Sequence, residues 1–317
     1  MYKIGIDIGG TKVNIGLLDE NNKLVANEKL YIKDIQDITV SVKTVVDKIC
    51  NNLNINCCDI ASCGIGVPGT VSDDGKRLIK APNISIISED VADKLEQALN
   101  LPTALVQDSR AAAWGEYLCG GGKGSNTVVC ITVGTGIGTG IVLDGKIYSG
   151  ALGSAGEMGH IPVVENGRKC GCGKTGCLEK YCAGGGLDIT AQELLGANKT
   201  AMDLFVEAAS GNKKALEEIQ NASQMLGRVI VAVINLLSPD CILFSGGLSE
   251  QEELYINPVI EYAKTHCYTS GKMPVLKKAE LGENAPMIGA ALIPIEKKEL
   301  SIEEGTKMLY DSLKGDN

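Results

Sequence analysis

A pattern of strand, Gly/Thr-rich loop and second strand occurs twice in this chain, and it restricts the fold more than any other feature. The first copy runs from "YKIGIDIGG" into "KVNIGLLDENNK", and the second is "TVVCITVGTGIGTGIVLDGK". In each copy alternating apolar residues predict the strands, and a polar turn follows at Asp19 or Asp144. The repeat predicts two domains of similar design whose Gly/Thr loops face each other.

Strands and helices alternate outside the two repeats, which is typical of an α/β fold. Residues 39–54 have the spacing of an amphipathic helix, and residues 89–100 are also predicted to be helical. An Ala-rich helix is predicted to begin at its N-cap Asp108 and to end before glycines 120–122, which are a candidate hinge. Further helices are predicted over 187–209, 213–237 and 301–313, the last one packing back on the first domain. We therefore expect a smaller domain of residues 1–118 plus about 298–317, and a larger domain of residues 119–297.

Size and charge argue against several classes of function. The 317 residues exceed what a single hydrophobic core usually covers, which favours two domains. A net charge of −9 without a long Lys/Arg block argues against nucleic acid as a partner. No stretch reaches the ~18 apolar residues of a membrane span, and the start "MYKIGIDIGG" lacks the features of a signal peptide. We expect a cytoplasmic protein whose 12 cysteines do not form a disulfide framework.

The two Gly/Thr loops have the composition of phosphate-binding loops. Glycine lets main-chain N–H groups approach a phosphate closely, and hydroxyl and ammonium groups assist. A carboxylate at the end of a strand suits a site that holds Mg²⁺ through water. Taken alone, the first loop could equally be a Gly-rich hairpin turn. The candidate nucleotide-binding residues are Asp7, Gly9, Gly10, Thr11 and Lys12 in the first loop and Gly134, Thr135, Gly136 and Gly138 in the second.

The second loop resembles a dinucleotide-binding loop, but a strand rather than a helix follows it. Two loops that face each other across a cleft could instead hold the β- and γ-phosphates of one nucleotide. A third pair of glycines, Gly246 and Gly247 in "FSGGLS", follows a buried strand and could approach an adenosine. The alternative for this pair is an ordinary turn from strand to helix.

Asp108, in "VQDSRAAAW", is a candidate catalytic base. Its predicted place at the start of a helix is compatible with that role, because a helix N-terminus stabilises an ionised carboxylate. In phosphoryl transfer the base orients a hydroxyl and accepts its proton late, so a low pKa is tolerable.

A histidine and three cysteines have the spacing H-x₉-C-x-C-x₄-C, namely His160, Cys170, Cys172 and Cys177. Three thiolates and one imidazole form a closed tetrahedral Zn²⁺ set, so the metal is expected to be structural. The alternatives are reduced cysteines that only pack, and a redox pair, for which C-x-x-C would be more usual. Cys182 is a candidate fifth thiol that a four-ligand site does not need.

The zinc loop would also fix the segment that carries Glu157, His160 and Glu179. Carboxylates and an imidazole held at one site supply the hydrogen-bond acceptors that a polyhydroxylated ligand needs. The sequence therefore predicts a sugar site beside the metal.

Together these motifs resemble the ROK family (repressors, open reading frames and kinases). The resemblance extends over nearly the whole chain. Its motifs are "IDIGGTK", "GVPGTV", "APNI", "QDSRAAAWGEY", "ITVGTGIGTGIV", "GEMGH", "CGCGKTGCLEKY", "FSGGLS" and "LGENAPMIGAAL".

The resemblance implies the actin-like ATPase (ribonuclease H-like) duplicated fold, with two domains around an interdomain cleft in which ATP and a sugar meet. It implies that Asp108 is the base for the sugar hydroxyl and that His160 binds zinc through one ring nitrogen. Because family members are often dimers or tetramers, a homo-oligomer is expected. The implied sugar-binding residues are Gly69, Asn83, Gln107, Asp108, Glu157, His160 and Glu179.

Two departures from the family pattern concern the sugar. The family usually has Asn-Asp where this chain has Gln107-Asp108, and Gln is one methylene longer. The aromatic residue often found shortly after "APN" is absent, because "ISIISED" follows here. Both departures leave open which sugar is preferred.

The expected function is ATP-dependent phosphorylation of a hexose at its 6-hydroxyl, with glucose as the first candidate and a place in carbohydrate metabolism. N-acetylmannosamine, N-acetylglucosamine, fructose and allose are the alternative substrates. A sugar-responsive transcriptional regulator is a distant alternative, since the first phosphate loop begins at Asp7 and leaves no room before it for a helix-turn-helix. The third hypothesis is an actin-like ATPase that does not act on a sugar. The predicted group of Glu157, His160 and zinc argues against it, because an ATPase has no evident use for these residues.

Overall fold

The computed structural model describes residues 1–80 and 86–295. Its first half contains a five-stranded mixed sheet with the strand order β3-β2-β1-β4-β7. Strand β1 pairs antiparallel with β2 and parallel with β4, so the first Gly/Thr loop lies at the carboxyl end of β1. The elements of this half are β1 (Tyr2–Ile8), β2 (Lys12–Leu18), β3 (Leu24–Tyr31), α1 (Ile38–Leu53), β4 (Ile60–Val67), the hairpin β5 (Thr70–Val71) and β6 (Leu78–Lys80), α2 (Val91–Leu99), β7 (Thr103–Gln107) and α3 (Asp108–Cys119).

The second half repeats this sheet with the order β10-β9-β8-β11-β12. Strand β8 pairs antiparallel with β9 and parallel with β11, as β1 pairs with β2 and β4. The matching topology confirms the duplicated α/β fold that the repeat predicts. Its elements are β8 (Val128–Val133), β9 (Ile137–Leu143), β10 (Lys146–Ile147), α4 (Glu179–Cys182), α5 (Gly184–Leu195), α6 (Ala201–Ala209), α7 (Lys213–Leu237), β11 (Cys241–Ser245), α8 (Asn257–His266), β12 (Val275–Lys278) and α9 (Ala285–Ala291).

Each sheet has its own hydrophobic core, built mainly from Ile, Leu, Val and Ala. Helices α1 and α2 bury their apolar faces on the first sheet, and α5 to α8 do so on the second. Helix α1 begins at residue 38 because the carboxylate of Asp37 accepts the N–H groups of Thr39 and Val40, at 2.7 and 3.1 Å. Such a cap stabilises a helix by about 1 kcal/mol.

The single helix predicted over residues 187–209 is wrong, because the structure has two helices there. Helix α5 ends at Leu195, because the following Gly196 has a φ of 109°, outside the helical region, and Asn198 has a φ of 66°. Thr200 and Asp203 then form a capping box that starts α6. The local turn chemistry therefore outweighs the continuous apolar periodicity.

Helices α3 and α9 cross between the sheets and connect the two halves. Glycine makes their close contact geometrically feasible, since a Cβ on Gly289 would lie 1.7 Å from the Ala111 carbonyl oxygen. Trp114 of α3 donates its indole N–H to the Leu292 carbonyl at 2.8 Å. Helix α3 rests against β8 and β9, and α9 rests against β1 and β4. Asp108 and Ala285, the first residues of these helices, therefore lie near the space between the sheets.

Some expectations lie outside the described residues. The helix predicted over 301–313 and the residue Asn83 belong to the segments that are not described. The proposed boundaries, 1–118 plus about 298–317 and 119–297, therefore remain predictions. In the part of the chain that is described, no helix combines the length and apolarity needed to cross a membrane.

Candidate functional site

The first Gly/Thr loop places Asp7 on the floor of the cleft. Asp7 is the penultimate residue of β1, and the Gly9 N–H closes the turn onto the Lys12 carbonyl at 2.9 Å. Asn14 donates its side-chain N–H to the Asp7 carboxylate at 3.5 Å. Burial is the main cause that raises the pKa of Asp7 to about 7, and the negative charge of Asp108 contributes to this rise. Asp7 is thus a carboxylate without a cationic hydrogen-bond partner in the described residues, which suits a site for a cation.

The second loop faces the first across the cleft. It is the turn between β8 and β9, closed by the Gly134 N–H and the Gly136 carbonyl at 3.0 Å. A cavity of about 580 Å³ separates the loops. This cavity is lined by predicted residues of both loops, by the candidate base and by one predicted sugar ligand. These residues are Asp7, Gly9, Asp108, Gly134, Thr135, Gly136, Gly138 and Glu179.

Not every predicted phosphate ligand borders this cavity. Gly10, Thr11 and Lys12 lie outside its lining. The Lys12 ammonium instead contacts the Glu283 carboxylate at 2.7 Å, and Lys29 binds the other oxygen of Glu283. These two hydrogen bonds lower the pKa of Glu283 to about 2. Nothing local in the sequence points to this pair, since the partners are 271 positions apart.

Asp108 is the first residue of α3, and Gln107 occupies the N-cap, one residue earlier than predicted. The Asp108 carboxylate accepts the N–H of Ser109 at 2.6 Å. A helix N-terminus was expected to lower the pKa of Asp108, but the net direction is upward. Burial raises this pKa more than the Ser109 hydrogen bond lowers it, and the charge of Glu157 adds to the rise. The carboxylate is correspondingly a better proton acceptor.

The predicted sugar ligands of the second half lie side by side. The nitrogen Nε2 of His160 is 3.8 Å from a Glu157 oxygen, and its Nδ1 is 4.0 Å from a Glu179 oxygen. Gln107 donates its amide N–H to Glu157 at 3.2 Å, so this residue reaches the group from the first half of the chain. Gly69 lies in the turn after β4 with a φ of 112°. Among the described residues Gln107 and the Cys170 thiol each donate to one oxygen of Glu157 and Glu179, respectively, so the second oxygen of each carboxylate remains an acceptor.

His160, Cys170, Cys172 and Cys177 bring their ligand atoms within 4.8 Å of one another. The Cys172 and Cys177 sulfurs are 3.6 Å apart, as are the Cys170 sulfur and His160 Nδ1. Tetrahedral Zn²⁺ has Zn–S and Zn–N distances of about 2.3 and 2.0 Å, which places the ligand atoms about 3.5–3.8 Å apart. The donor set and its spacing therefore fit Zn²⁺.

Cys182 does not belong to this group. Its side chain is fully buried in the second core and donates to the Ala222 carbonyl at 3.3 Å. The candidate role as a fifth thiol is therefore wrong, because the thiol points into the hydrophobic core rather than towards the cluster.

The third glycine pair borders two further cavities. Gly246 and Gly247 line one of about 470 Å³ next to Glu283. Gly247 also lines a cavity of about 370 Å³ together with Gly134 and Thr135 of the second loop. Two residues that sequence reasoning missed, Gly184 and Gly185, complete it and donate their N–H groups to the carbonyls of that loop, at 2.7 and 3.0 Å. The glycine run in "AGGGLD" is the sequence feature that could have pointed to these two residues.

Comparison with known proteins gives one family and several close relatives. The sequence model of the ROK family matches residues 3–297. A glucokinase from Streptomyces coelicolor is 32% identical over 309 residues, covering 91% of this chain and 96% of that protein. The N-acetylgalactosamine kinase AgaK from a Shewanella species is 31% identical, covering 91% and 95%. The crystal structure of a ROK family glucokinase from Streptomyces griseus, in complex with glucose and AMPPNP, superposes with a TM-score of 0.75 at 29% identity, covering 92% of this chain and 98% of that one.

Proposed function

The chain belongs to the ROK family, and from this premise we propose that it transfers the γ-phosphoryl group of ATP to the 6-hydroxyl of a hexose, with glucose as the first candidate. One observation carries the proposal. Asp7, Asp108, Glu179 and both Gly/Thr loops line a single cavity between two sheets of matching topology. The glucokinases among its relatives support the choice of glucose.

Asp108 is the proposed catalytic base. Its carboxylate hydrogen-bonds the 6-hydroxyl and takes the proton as the oxygen attacks the γ-phosphorus, while the bond to the leaving ADP oxygen breaks. The products are ADP, a hexose 6-phosphate and the proton held by Asp108. The pKa raised by burial supports this role, since a more basic carboxylate accepts the proton more readily.

The two loops hold the triphosphate. Main-chain N–H groups of the Gly9 and Gly134 loops are proposed to face the β- and γ-phosphates, and the side chains of Thr11 and Lys12 to assist. Lys12 would leave Glu283 for the phosphate, an exchange of one anionic partner for another. Mg²⁺ held through water by Asp7 would neutralise charge on the phosphate oxygens. Gly246 and Gly247 are proposed to approach the adenosine.

The sugar pocket is proposed to consist of Gly69, Asn83, Gln107, Glu157, His160 and Glu179. Zn²⁺ held by His160 and the three cysteines would be structural, because four protein ligands close its coordination shell. The ring nitrogen of His160 that faces Glu157 remains available to a sugar hydroxyl. Several acceptors at fixed positions would together hold the hexose in a defined orientation, with its 6-hydroxyl towards Asp108.

A coupled assay of ADP release with a panel of hexoses tests the proposal. The panel contains glucose, fructose, allose, N-acetylglucosamine and N-acetylmannosamine, each with ATP and Mg²⁺. We expect glucose to give the highest kcat/KM. ATP hydrolysis that does not respond to any sugar would contradict the proposal and favour an ATPase.

A kinase for a 2-acetamido hexose is the second candidate. Such a substrate needs apolar space beside Glu157, and Glu157 borders a second cavity of about 320 Å³ that is lined mainly by apolar side chains, among them Ile141, Met158 and Ile161. The N-acetylgalactosamine kinase among the relatives supports this reading. The N-acetylated sugars of the panel decide between the two candidates. The cytoplasmic location and the dimeric or tetrameric state expected from the sequence remain predictions, the latter open to light scattering.

A further inference from the structure

Arg110 is a buried cation that the proposed chemistry does not use. It follows Asp108 by two residues on α3, and only 8% of its surface is exposed. Its Nη2 donates to the carbonyl oxygens of Gly153 and Ala155, at 2.6 and 3.2 Å. The side chain thus joins the helix that begins with the proposed base to a segment more than 40 positions later in the chain.

That segment, residues 150–156, leads directly into Glu157. It contains no helix or strand, and Gly153 and Gly156 have φ values of 68° and 93°. Leu152 at its tip is 90% exposed, so little apolar burial anchors it. Across residues 1–80 and 86–295, Arg110 provides the only side-chain hydrogen bonds to the backbone of 150–156. A loop with so few contacts takes its position from the few it has.

The charge of Arg110 is matched to its surroundings. Burial lowers the pKa of its guanidinium, and the carboxylates of Glu157 and Asp73 raise it again. Arginine remains charged under such conditions, and a buried charge is stable only near opposite charge or hydrogen-bond acceptors. Its Nε is buried without a hydrogen-bond partner in the described residues. The negative charge of Glu157 therefore stabilises the charged guanidinium, while the Nη2 group of Arg110 holds the loop.

We propose that Arg110 is a positioning residue for the hexose: by holding the carbonyls of Gly153 and Ala155, it fixes Glu157 relative to Asp108. This inference rests on the proposed function. Gln107 contacts the Glu157 carboxylate directly. The junction of β7 and α3 therefore fixes the position of Glu157 in two ways, through Gln107 and through the loop that Arg110 holds. Loss of Arg110 lets Glu157 shift, and a shift of about 1 Å in a substrate-positioning group can cost about 100-fold.

The test compares Arg110→Met and Arg110→Lys with the parent protein. Met keeps the apolar stem and removes every donor, whereas Lys keeps the charge and can reach one carbonyl. For Arg110→Met we expect the hexose KM to rise about 10- to 100-fold, with the ATP KM within about twofold. Arg110→Lys should fall between Met and the parent. Calorimetric titration with the fastest sugar of the panel, without ATP, should show the same loss in hexose Kd.

Arg228→Met is the matched control, since Arg228 is exposed on α7 and contacts Tyr262 at 3.3 Å. It should leave both KM values unchanged. Thermal melting separates unfolding from misplacement, and Arg110→Lys remains informative if the Met variant does not fold. Unchanged hexose KM and Kd in folded variants, or equal rises in the KM of hexose and ATP, would overturn the inference. A parent protein that phosphorylates none of the sugars would instead overturn the proposed function.

Discussion

Replacing Asp7 with Asn should stabilise the free protein, and increasingly so as the pH rises. Asp7 lies at the end of β1 without a cationic hydrogen-bond partner in the described residues, and its pKa rises from 3.8 to about 7 in the folded state. An acid whose folded pKa is raised opposes folding once it ionises. The folded state binds more protons than the unfolded state between these two values, so stability falls as the pH increases through them.

The magnitude follows from the two pKa values. With 3.8 for the unfolded and about 7 for the folded carboxyl, ionisation costs about 2 kcal/mol at pH 5 and about 4 kcal/mol at pH 8. Asn removes this cost at every pH and keeps the shape of the side chain. Water in the open cleft screens part of the charge, so we expect the gain from Asp7→Asn to be about 2 kcal/mol larger at pH 8 than at pH 5.

Urea unfolding at the two pH values measures this difference, in buffer without Mg²⁺ and nucleotide. Comparing variant and parent at the same pH cancels the titration of groups that do not interact with Asp7. Asp34→Asn, a change at an exposed carboxylate, is the control and should give the same difference at both pH values. An Asp7→Asn effect that is independent of pH, or larger at pH 5, would refute the idea that Asp7 is an uncompensated carboxylate.

Three further changes test separate parts of the structure. Asp108→Asn should lower kcat about 100-fold or more while changing the hexose KM little, because Asn cannot accept the proton; a coupled assay at saturating ATP measures this, and an unchanged kcat would exclude the assigned role. Cys177→Ser should lose bound zinc, whereas Cys182→Ser should keep about one zinc per chain, because only Cys177 lies in the candidate ligand cluster. Mass spectrometry of the purified proteins measures the zinc content, and equal content in both variants would contradict the ligand assignment. Gly64→Ala should cost about 3 kcal/mol or abolish folding, since its Cβ would lie 1.7 Å from a main-chain oxygen of α9, while Gly10→Ala meets no atom within 4 Å; equal melting temperatures for the two variants would refute the close approach of α9 to the first sheet.

The candidate metal-binding cluster was predictable because its residues are close in the chain. His160 and the three cysteines span 18 positions, and glycines between them allow a tight fold, so spacing and residue type suffice to propose the cluster. The exclusion of Cys182 was not predictable. Its thiol is only five positions beyond Cys177, and its direction depends on how α4 packs against α7.

Helix boundaries show where local patterns compete. The apolar periodicity of residues 187–209 favours one helix, but Gly196 and the capping box at Thr200 divide it.

The pKa of Asp108 likewise depends on two opposing effects, of which the sequence shows only one. Its place at the start of a helix was readable from the sequence, whereas the burial that outweighs the helix N-terminus exists only after α3 has packed between the sheets.

By itself the sequence determined the duplicated α/β design, the two Gly/Thr loops and the clustering of one histidine with three cysteines, because periodicity, turn residues and short spacings are local properties of the chain. The tertiary structure alone decided that Lys12 meets Glu283, and that Arg110 holds the loop before Glu157. These partners are 271 and 43 positions apart. Such contacts arise from the packing of the two sheets around α3 and α9, and no local pattern encodes that packing.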